Sequence, residues 1–320
     1  MKTVEYIWLD GSDDMPQIRS KVRLLPTVES ILPDWSFDGG STKQGDLKDS
    51  DRTLKPVKIY VDPFREDGYL ALCEVLYPDG TPHESNNRAK LREMDLNDVW
   101  FGFEQEYTIT DPMMNPVVPE EQVQGEFYCG NGAGKVVGRL VAEEHMIKCE
   151  KAGLDLFGYN AEVMLSQWEY QTQPKTAVDA SDNLWVSRFI NERNAEKFNM
   201  RISYHPKIYK DLNGAGCHVN VSTKELRESL DTLENIMKKF KKAHKEHMEV
   251  YGVGNELRLT GECETSDYNK FTHGVGDRSA SVRIPSHVEV KGCGYFEDRR
   301  PAATCDPYLV TARILKTLSC

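Results

Sequence analysis

The segment Phe101-Gly102-Phe103-Glu104-Gln105-Glu106-Tyr107 alternates with the period of an extended strand, so Glu104 and Glu106 share one face while Phe101, Phe103 and Tyr107 share the other. A chain that buries this aromatic row must place two like charges side by side on the opposite surface. Such carboxylates raise each other's pKa unless solvent, arginines or divalent cations neutralise them. Taken alone, the pattern describes a solvated face.

The pattern recurs. Glu162-Val163-Met164-Leu165 reads as strand ahead of Gln167 to Gln171, in which Glu169 opposes Trp168 and Tyr170. Glu162 and Glu169 lie an odd number of residues apart, so a turn near Ser166 is needed to aim both at one place. His218, Asn220 and Ser222 share the polar face of Cys217 to Ser222, and Tyr295, Glu297 and Arg299 share that of Tyr295 to Arg299. Strands with one apolar back and one ligand-bearing face suggest a common cavity. Its five carboxylates and one histidine suit magnesium or manganese far better than zinc. Arg258, Arg278, Arg283, Arg299 and Arg300 supply the counterpart in the C-terminal stretch. Guanidiniums beside divalent cations are what phosphoryl transfer needs, because both neutralise the charge on the transferred group.

Other chemistries fail on particular residues. Gly130 to Lys135 resembles a phosphate loop, but Cys129 stands where its first glycine belongs and Val136 where a magnesium-binding hydroxyl should be. Gly214-Ala215-Gly216, Gly252-Val253-Gly254 and Gly292-Cys293-Gly294 each lack the third glycine of the dinucleotide fingerprint. His244 and His247 have no H-E-x-x-H pattern around them and read as a packed or solvated pair. The net charge of -11 repels nucleic acid in the absence of a segregated basic patch. No uninterrupted apolar run approaches the roughly 20 residues that span a bilayer. None of the eight cysteines forms a C-x-x-C pair, and Met1 to Asp14 lacks the make-up of a signal peptide. The expectation is a cytoplasmic protein with reduced thiols.

At 320 residues the chain fits two domains. Runs at Val22 to Leu25, Val57 to Val61 and Tyr69 to Tyr77 predict a small sheet domain over 1–84, and the polar stretch Thr81 to Arg88 marks the boundary to a larger domain over 85–320. In the latter, helices are expected from Lys135 to Ala152 closed by Gly153, from a Ser181 cap toward Phe198, and from Asp306-Pro307 to Leu318. Leu226, Leu230, Leu233, Met237, Phe240, His244, Met248 and Tyr251 describe one face of a long amphipathic helix. No repeat at solenoid spacing is present.

Taken with Trp35 to Ser41, Asn160 to Met164, Asn213 to His218, Arg258 to Gly261, Arg278 to Pro285 and Tyr295 to Pro301, these segments resemble, in family order, the class II, eukaryotic-like glutamine synthetases. The resemblance implies an α+β fold, with a small N-terminal β-grasp-like domain and a larger C-terminal domain whose antiparallel sheet forms a funnel-shaped active site flanked by helices. It implies ATP-dependent ligation of L-glutamate and ammonia through a γ-glutamyl phosphate, with two or more Mg2+ or Mn2+ ions per site. By resemblance, Glu106, Glu162 and Glu169 hold one ion, and Glu104, His218 and Glu297 hold a second on the ATP phosphates. Arg258 corresponds to the clamp on the glutamate α-carboxylate, with Asn213 and Gly214 near the amino group. Arg278 and Arg299 correspond to arginines on the transferred phosphoryl group, and Arg283 to a nucleotide contact. Trp100, Ser222 and Tyr295 border the nucleotide. Asp38 and Ser41 match a segment that a neighbouring subunit adds to the ammonium pocket, and Glu264 matches the flap acid.

The family pattern also implies a homo-oligomer of two stacked pentameric rings with shared sites. Gly40 replaces a common serine, the loop from Ser41 to Asp51 is short, and Glu262 adds an acid to the flap. No segment resembles the adenylylation loop of class I enzymes, so that control is not expected. The retained Asp38 and Ser41 favour ammonia over an organic amine as the nitrogen donor, and the full ligand set argues against a catalytically silent relative.

Overall fold

A computed structural model describes residues 1–28, 32–94, 98–116 and 125–320. They fall into two compact units, Met1–Glu93 with Ile147–Asp155, and Met94–Met146 with Leu156–Cys320.

In the smaller unit β1 (Lys2–Leu9), β2 (Ile18–Leu25), β3 (Trp35–Asp38), β4 (Asp51–Val61) and β5 (Gly68–Leu76) form one sheet in the order β2-β1-β5-β4-β3. β1 and β5 run parallel and the other neighbours antiparallel. Val4, Tyr6 and Trp8 alternate along β1, and Ala71, Cys73 and Val75 along β5, so that one apolar face closes over Phe37 and Leu54. β1 and β3 join the strands expected from sequence. A short helix, α1 (Asn87–Arg92), follows, capped by Asn86, whose side chain accepts from Ala89 N at 3.0 Å.

The larger unit is built on β6 (Trp100–Thr110), β7 (Leu156–Ala161), β8 (Gln167–Thr172), β9 (Arg201–Ser203), β10 (Cys217–Ser222), β11 (His273–Val275), β12 (Val282–Ile284) and β13 (Phe296–Asp298). Their order is β11-β12-β13-β10-β6-β8-β7, with β9 also paired to β6, and only β11 and β12 run parallel. Its helices are α2 (Arg139–Ala152), which contributes residues to both units, α3 (Ala177–Glu196), α4 (Lys224–Glu228), α5 (Leu233–Lys242), α6 (His244–Met248), α7 (Asn255–Arg258), α8 (Ser286–Lys291) and α9 (Pro307–Ser319). Phe101, Phe103, Tyr107, Trp168, Tyr170, Val219 and Phe296 are fully buried on one side of the sheet, where α3 packs on β6 and on α9. The fold class is α+β, as expected.

Four local expectations are corrected. α2 begins at Arg139 rather than Lys135, because Gly138 adopts a positive φ of 80° just before it. Ser181 does not cap α3: the helix starts at Ala177 after Thr176, and the buried Ser181 hydroxyl donates back to Ala177 O at 2.7 Å. The long amphipathic helix is three short ones, since Ser229 is extended (φ -159°) and ends α4, and Ala243 separates α5 from α6. The stripe still reports burial correctly, for Leu226, Met237, Phe240 and Tyr251 are all core. Finally, Glu162 to Leu165 is not strand but the turn that joins β7 to β8, closed at Ser166 with φ 70°. α9 starts as read, with Asp306 accepting from Tyr308 N at 3.0 Å.

Behind the sheet, His244 and His247 are structural. His247 meets the Tyr251 hydroxyl at 2.5 Å and the Thr317 hydroxyl at 2.9 Å, and His244 meets Arg300 and the Tyr268 carbonyl, each at 3.0 Å. All eight cysteines are free thiols.

Candidate active site

β13, β10, β6 and β8 are consecutive neighbours, and their register aligns the polar residues across strands: Asn220 opposite Glu297, His218 opposite Glu104, and Glu106 opposite Glu169. The turn after β7 brings Glu162 to the same surface. The result is a cavity of about 880 Å³ on the polar side of the sheet. Of the candidates from the larger unit, Trp100, Glu104, Glu106, Glu162, Glu169, Asn213, Gly214, His218, Ser222, Arg258, Glu264, Arg278, Arg283, Tyr295, Glu297 and Arg299 line it, whereas Arg300, expected with the other arginines, is instead buried behind the sheet in an ion pair with Asp298. Asp38 and Ser41 belong to the smaller unit. There the Asp38 carboxylate accepts from the Ser41 hydroxyl at 2.6 Å and from Gly40 N at 3.0 Å, which together hold this exposed carboxyl below its usual range.

The charges in the cavity are arranged in two sets. Ligand atoms of Glu104, His218 and Glu297 lie within 4.8 Å of one another, as do those of Glu106, Glu169 and His218. Burial, then the neighbouring Glu106, pushes the Glu162 carboxyl up to about 8. Burial, then the Glu104 and Glu162 carboxylates, raises Glu169 well above the carboxylate range. Burial keeps His218 neutral, lowering it to about 3. Among the described residues its buried Nδ1 has no hydrogen-bond partner, and it lies 3.4 Å from a Glu297 oxygen and 3.7 Å from one of Glu104. A neutral imidazole, which offers the lone pair of one ring nitrogen, among crowded carboxylates is a donor set suited to a hard divalent cation. The residues therefore fit Mg2+ or Mn2+.

Positive charge is held directly against these groups. Arg283 and Arg299 grip Glu297 at 2.7 and 2.6 Å. Burial opposes the Arg299 charge, but Glu297 outweighs it and raises its pKa. Arg258 is fully buried, and among the described residues it has no carboxylate ion-pair partner. Its guanidinium donates to His218 Nε2 at 2.9 Å and to the Arg299 carbonyl at 3.1 Å. Burial lowers it to about 10, which leaves it charged at neutral pH. Close backbone makes this contact possible: a Cβ at Gly216 would stand 2.4 Å from the Arg258 guanidinium and 2.7 Å from His218 Nε2. Gly216 N in turn donates to Glu106 at 2.6 Å. Arg278 and Glu264 are exposed at the cavity wall, and the Glu264 carbonyl accepts from Arg299 at 3.4 Å.

Sequence reasoning passed over Arg227, whose guanidinium stacks 4.0 Å over the Trp100 ring at the cavity edge and donates to Ser222 O at 2.8 Å. The Thr223 cap starts α4 and Arg227 falls in the last turn of that short helix, but only tertiary structure aims it at Trp100. Asn160 and Gln171, which also line the cavity, carried no charge to draw notice.

The glutamine synthetase catalytic-domain family matches residues 85–244, and the glutamine synthetase beta-Grasp domain family matches residues 1–78. Among curated proteins, the glutamine synthetase of Schizosaccharomyces pombe is 49% identical over 98% of this chain and 91% of its own length. That of Eremothecium gossypii is 50% identical, covering 98% and 88%. The chloroplastic glutamine synthetase of Chlamydomonas reinhardtii is 45% identical, covering 98% and 90%.

Proposed function

Because this chain belongs to the glutamine synthetase family, and is accordingly a glutamate-ammonia ligase, we propose that it makes L-glutamine by an ATP-dependent route through γ-glutamyl phosphate. The observation that carries this reading is the buried, carboxylate-free Arg258 beside two sets of cation-ligating side chains in one cavity. In the reading, Arg258 takes the α-carboxylate of glutamate, with Asn213 and Gly214 at its amino group. Glu106, Glu162 and Glu169 hold one divalent cation, and Glu104, His218 and Glu297 hold a second. When bound, these ions neutralise phosphate oxygens. Trp100, Ser222, Arg283 and Tyr295 border the nucleotide, and Arg227, stacked on Trp100, extends that border.

A carboxylate resists attack by ammonia because its charge repels the nucleophile and oxide is a poor leaving group. Transfer of the γ-phosphoryl group of ATP to the γ-carboxylate oxygen removes both obstacles, releasing ADP. Arg278 and Arg299 neutralise the group in transit. Ammonia then attacks the carbonyl carbon, and phosphate leaves with the carboxylate oxygen. Ammonium is mostly protonated at neutral pH and has no lone pair, so an acid must attract it and accept its proton. Asp38, hydrogen-bonded to Ser41, has that role, and Glu264 closes the site against water.

The same reading makes the protein a cytoplasmic homo-oligomer of two pentameric rings in which a neighbour's Asp38 and Ser41 complete each site. Glutamate carrying oxygen-18 in its γ-carboxylate tests the chemistry: the label should appear in released phosphate in proportion to glutamine formed. Glutamine formation with unlabelled phosphate would rule out the acyl phosphate.

A further inference from the structure

Two neutral side chains stand between Glu162 and Glu169. On β7, Asn160 Nδ2 donates to Glu162 Oε1 at 2.9 Å, while its Oδ1 accepts from Gln171 Nε2 on β8 at 2.8 Å. Gln171 Nε2 also donates to Glu169 Oε1. Carboxylates that ligate a cation are ionised and only accept, so in that state both amide orientations follow from chemistry: each nitrogen must face a carboxylate, which leaves the Asn160 oxygen to take the second Gln171 proton.

The backbone is shaped to allow this. The β7–β8 register shifts between Leu156 and Gly158, which sets Gly158 opposite Gln171, and such a bulge re-aims the side chains that follow it. A Cβ at Gly158 would stand 3.0 Å from Gln171 Oε1. The glycine thus leaves room for the amide to lie flat along the strand pair.

From this geometry we infer that Asn160 and Gln171 are positioning residues, a paired-amide brace that fixes Glu162 and Glu169 in ligating orientation and so sets the affinity of one cation site alone. The inference rests on the two-cation reading above. The second set has separate support, since Glu104 accepts from Asn220 at 2.8 Å and Glu297 is held by Arg283 and Arg299. None of those contacts runs through the brace. Loss of groups that orient metal ligands lowers metal affinity roughly 10- to 100-fold.

The test is Mn2+ titration of the full-length protein, counting free ion by its paramagnetic resonance signal, with circular dichroism as the check on folding. The parent protein should bind two ions per chain. Asn160→Leu and Gln171→Met should each weaken one of them by roughly 10- to 100-fold and leave the other within about twofold. Their combination should weaken it by less than the product of the two, because the amides act through one another. Gly158→Ala, which only displaces the Gln171 amide, should weaken the same ion by less, and it carries the test if the larger changes impair folding. Glu297→Ala should instead lose the other ion. Both ions bound at parental affinity in the Asn160 and Gln171 variants, or both weakened equally, would overturn the brace. A parent protein that binds no Mn2+ would defeat the two-cation reading, and the brace with it.

Discussion

Asp298 and Glu297 are consecutive residues of β13 that face opposite sides of one sheet, and both are buried. Behind the sheet, Asp298 pairs with the fully buried Arg300 at 2.7 Å and accepts from the Tyr251 hydroxyl at 2.7 Å, so acid and base are closed on each other. In front, Glu297 has two arginines, but among the described residues Glu162 and Glu169 receive only amide donors, and their carboxyls are pushed upward. Buried charge behind the sheet is complete as the chain folds. On the proposed reading, buried charge in front is completed by a cation, which is the physical difference between a group that holds a strand and one that binds a ligand.

The largest expected effect follows from the front face. Glu297→Ala removes one cation ligand and should lower turnover by roughly 10³-fold, about 4 kcal/mol of barrier. Its stability cost should be smaller, about 1–2 kcal/mol, from the two guanidiniums left without their carboxylate partner. Steady-state rates at saturating Mg2+ beside denaturant unfolding would separate the two, and near-normal turnover would remove Glu297 from the ligand set. On the back face the balance should reverse. Asp298→Asn strands the buried Arg300 charge and should cost about 3 kcal/mol of stability whether or not Mg2+ is present. A loss that Mg2+ repairs would mean that the two faces are not separate.

Assembly offers a further division, because Asp38 lies in one unit and every proposed cation ligand in the other. Mixed oligomers of Asp38→Ala and Glu297→Ala subunits, each inactive alone, should regain part of the activity if sites are shared between chains. Persistent inactivity in verified mixed oligomers would place both residues in the same chain's site. The smallest effect concerns the nucleotide border. Arg227→Ala should raise the KM for ATP about tenfold, the scale of one cation–π stack and its hydrogen bonds, with kcat little changed. A fall in kcat instead would assign Arg227 to the reacting end.

What the sequence disclosed depended on how each residue meets its surroundings. β6, β10 and β13 each bury one face and expose the other to a cavity, so a period of two marked Glu104, Glu106, His218 and Glu297 without any contact being known. Helix breaks were hidden for the converse reason: Leu226, Met237, Phe240 and Tyr251 keep helical spacing across Ser229 and Ala243, where the chain is not helical. Periodicity reports which side is buried, and it cannot report a break that leaves that side in place. Ser181 had the chemistry of a cap, but its hydroxyl is satisfied inside α3. Asn160, Gln171 and Arg227 act through partners on other elements, and such partnerships exist only after the strands have paired.

Thermal or denaturant unfolding of the parent protein and Glu169→Gln, each with and without Mg2+, tests the incomplete charge of the front face most directly. The substitution keeps an oxygen for the Gln171 donor while removing a carboxyl whose ionisation the crowded site opposes. Without Mg2+ the variant should be the more stable, by about 1 kcal/mol. The parent should also lose stability as pH rises from 4.5 toward about 8, because the unfolded chain gives up a proton there that folded Glu162 retains. With Mg2+ at about 100 times its Kd, the parent gains about 2.7 kcal/mol, the variant gains less, and the order should invert. A variant less stable than the parent both with and without Mg2+ would mean that the Glu169 charge is already compensated within the fold, contrary to a front face that awaits its cation.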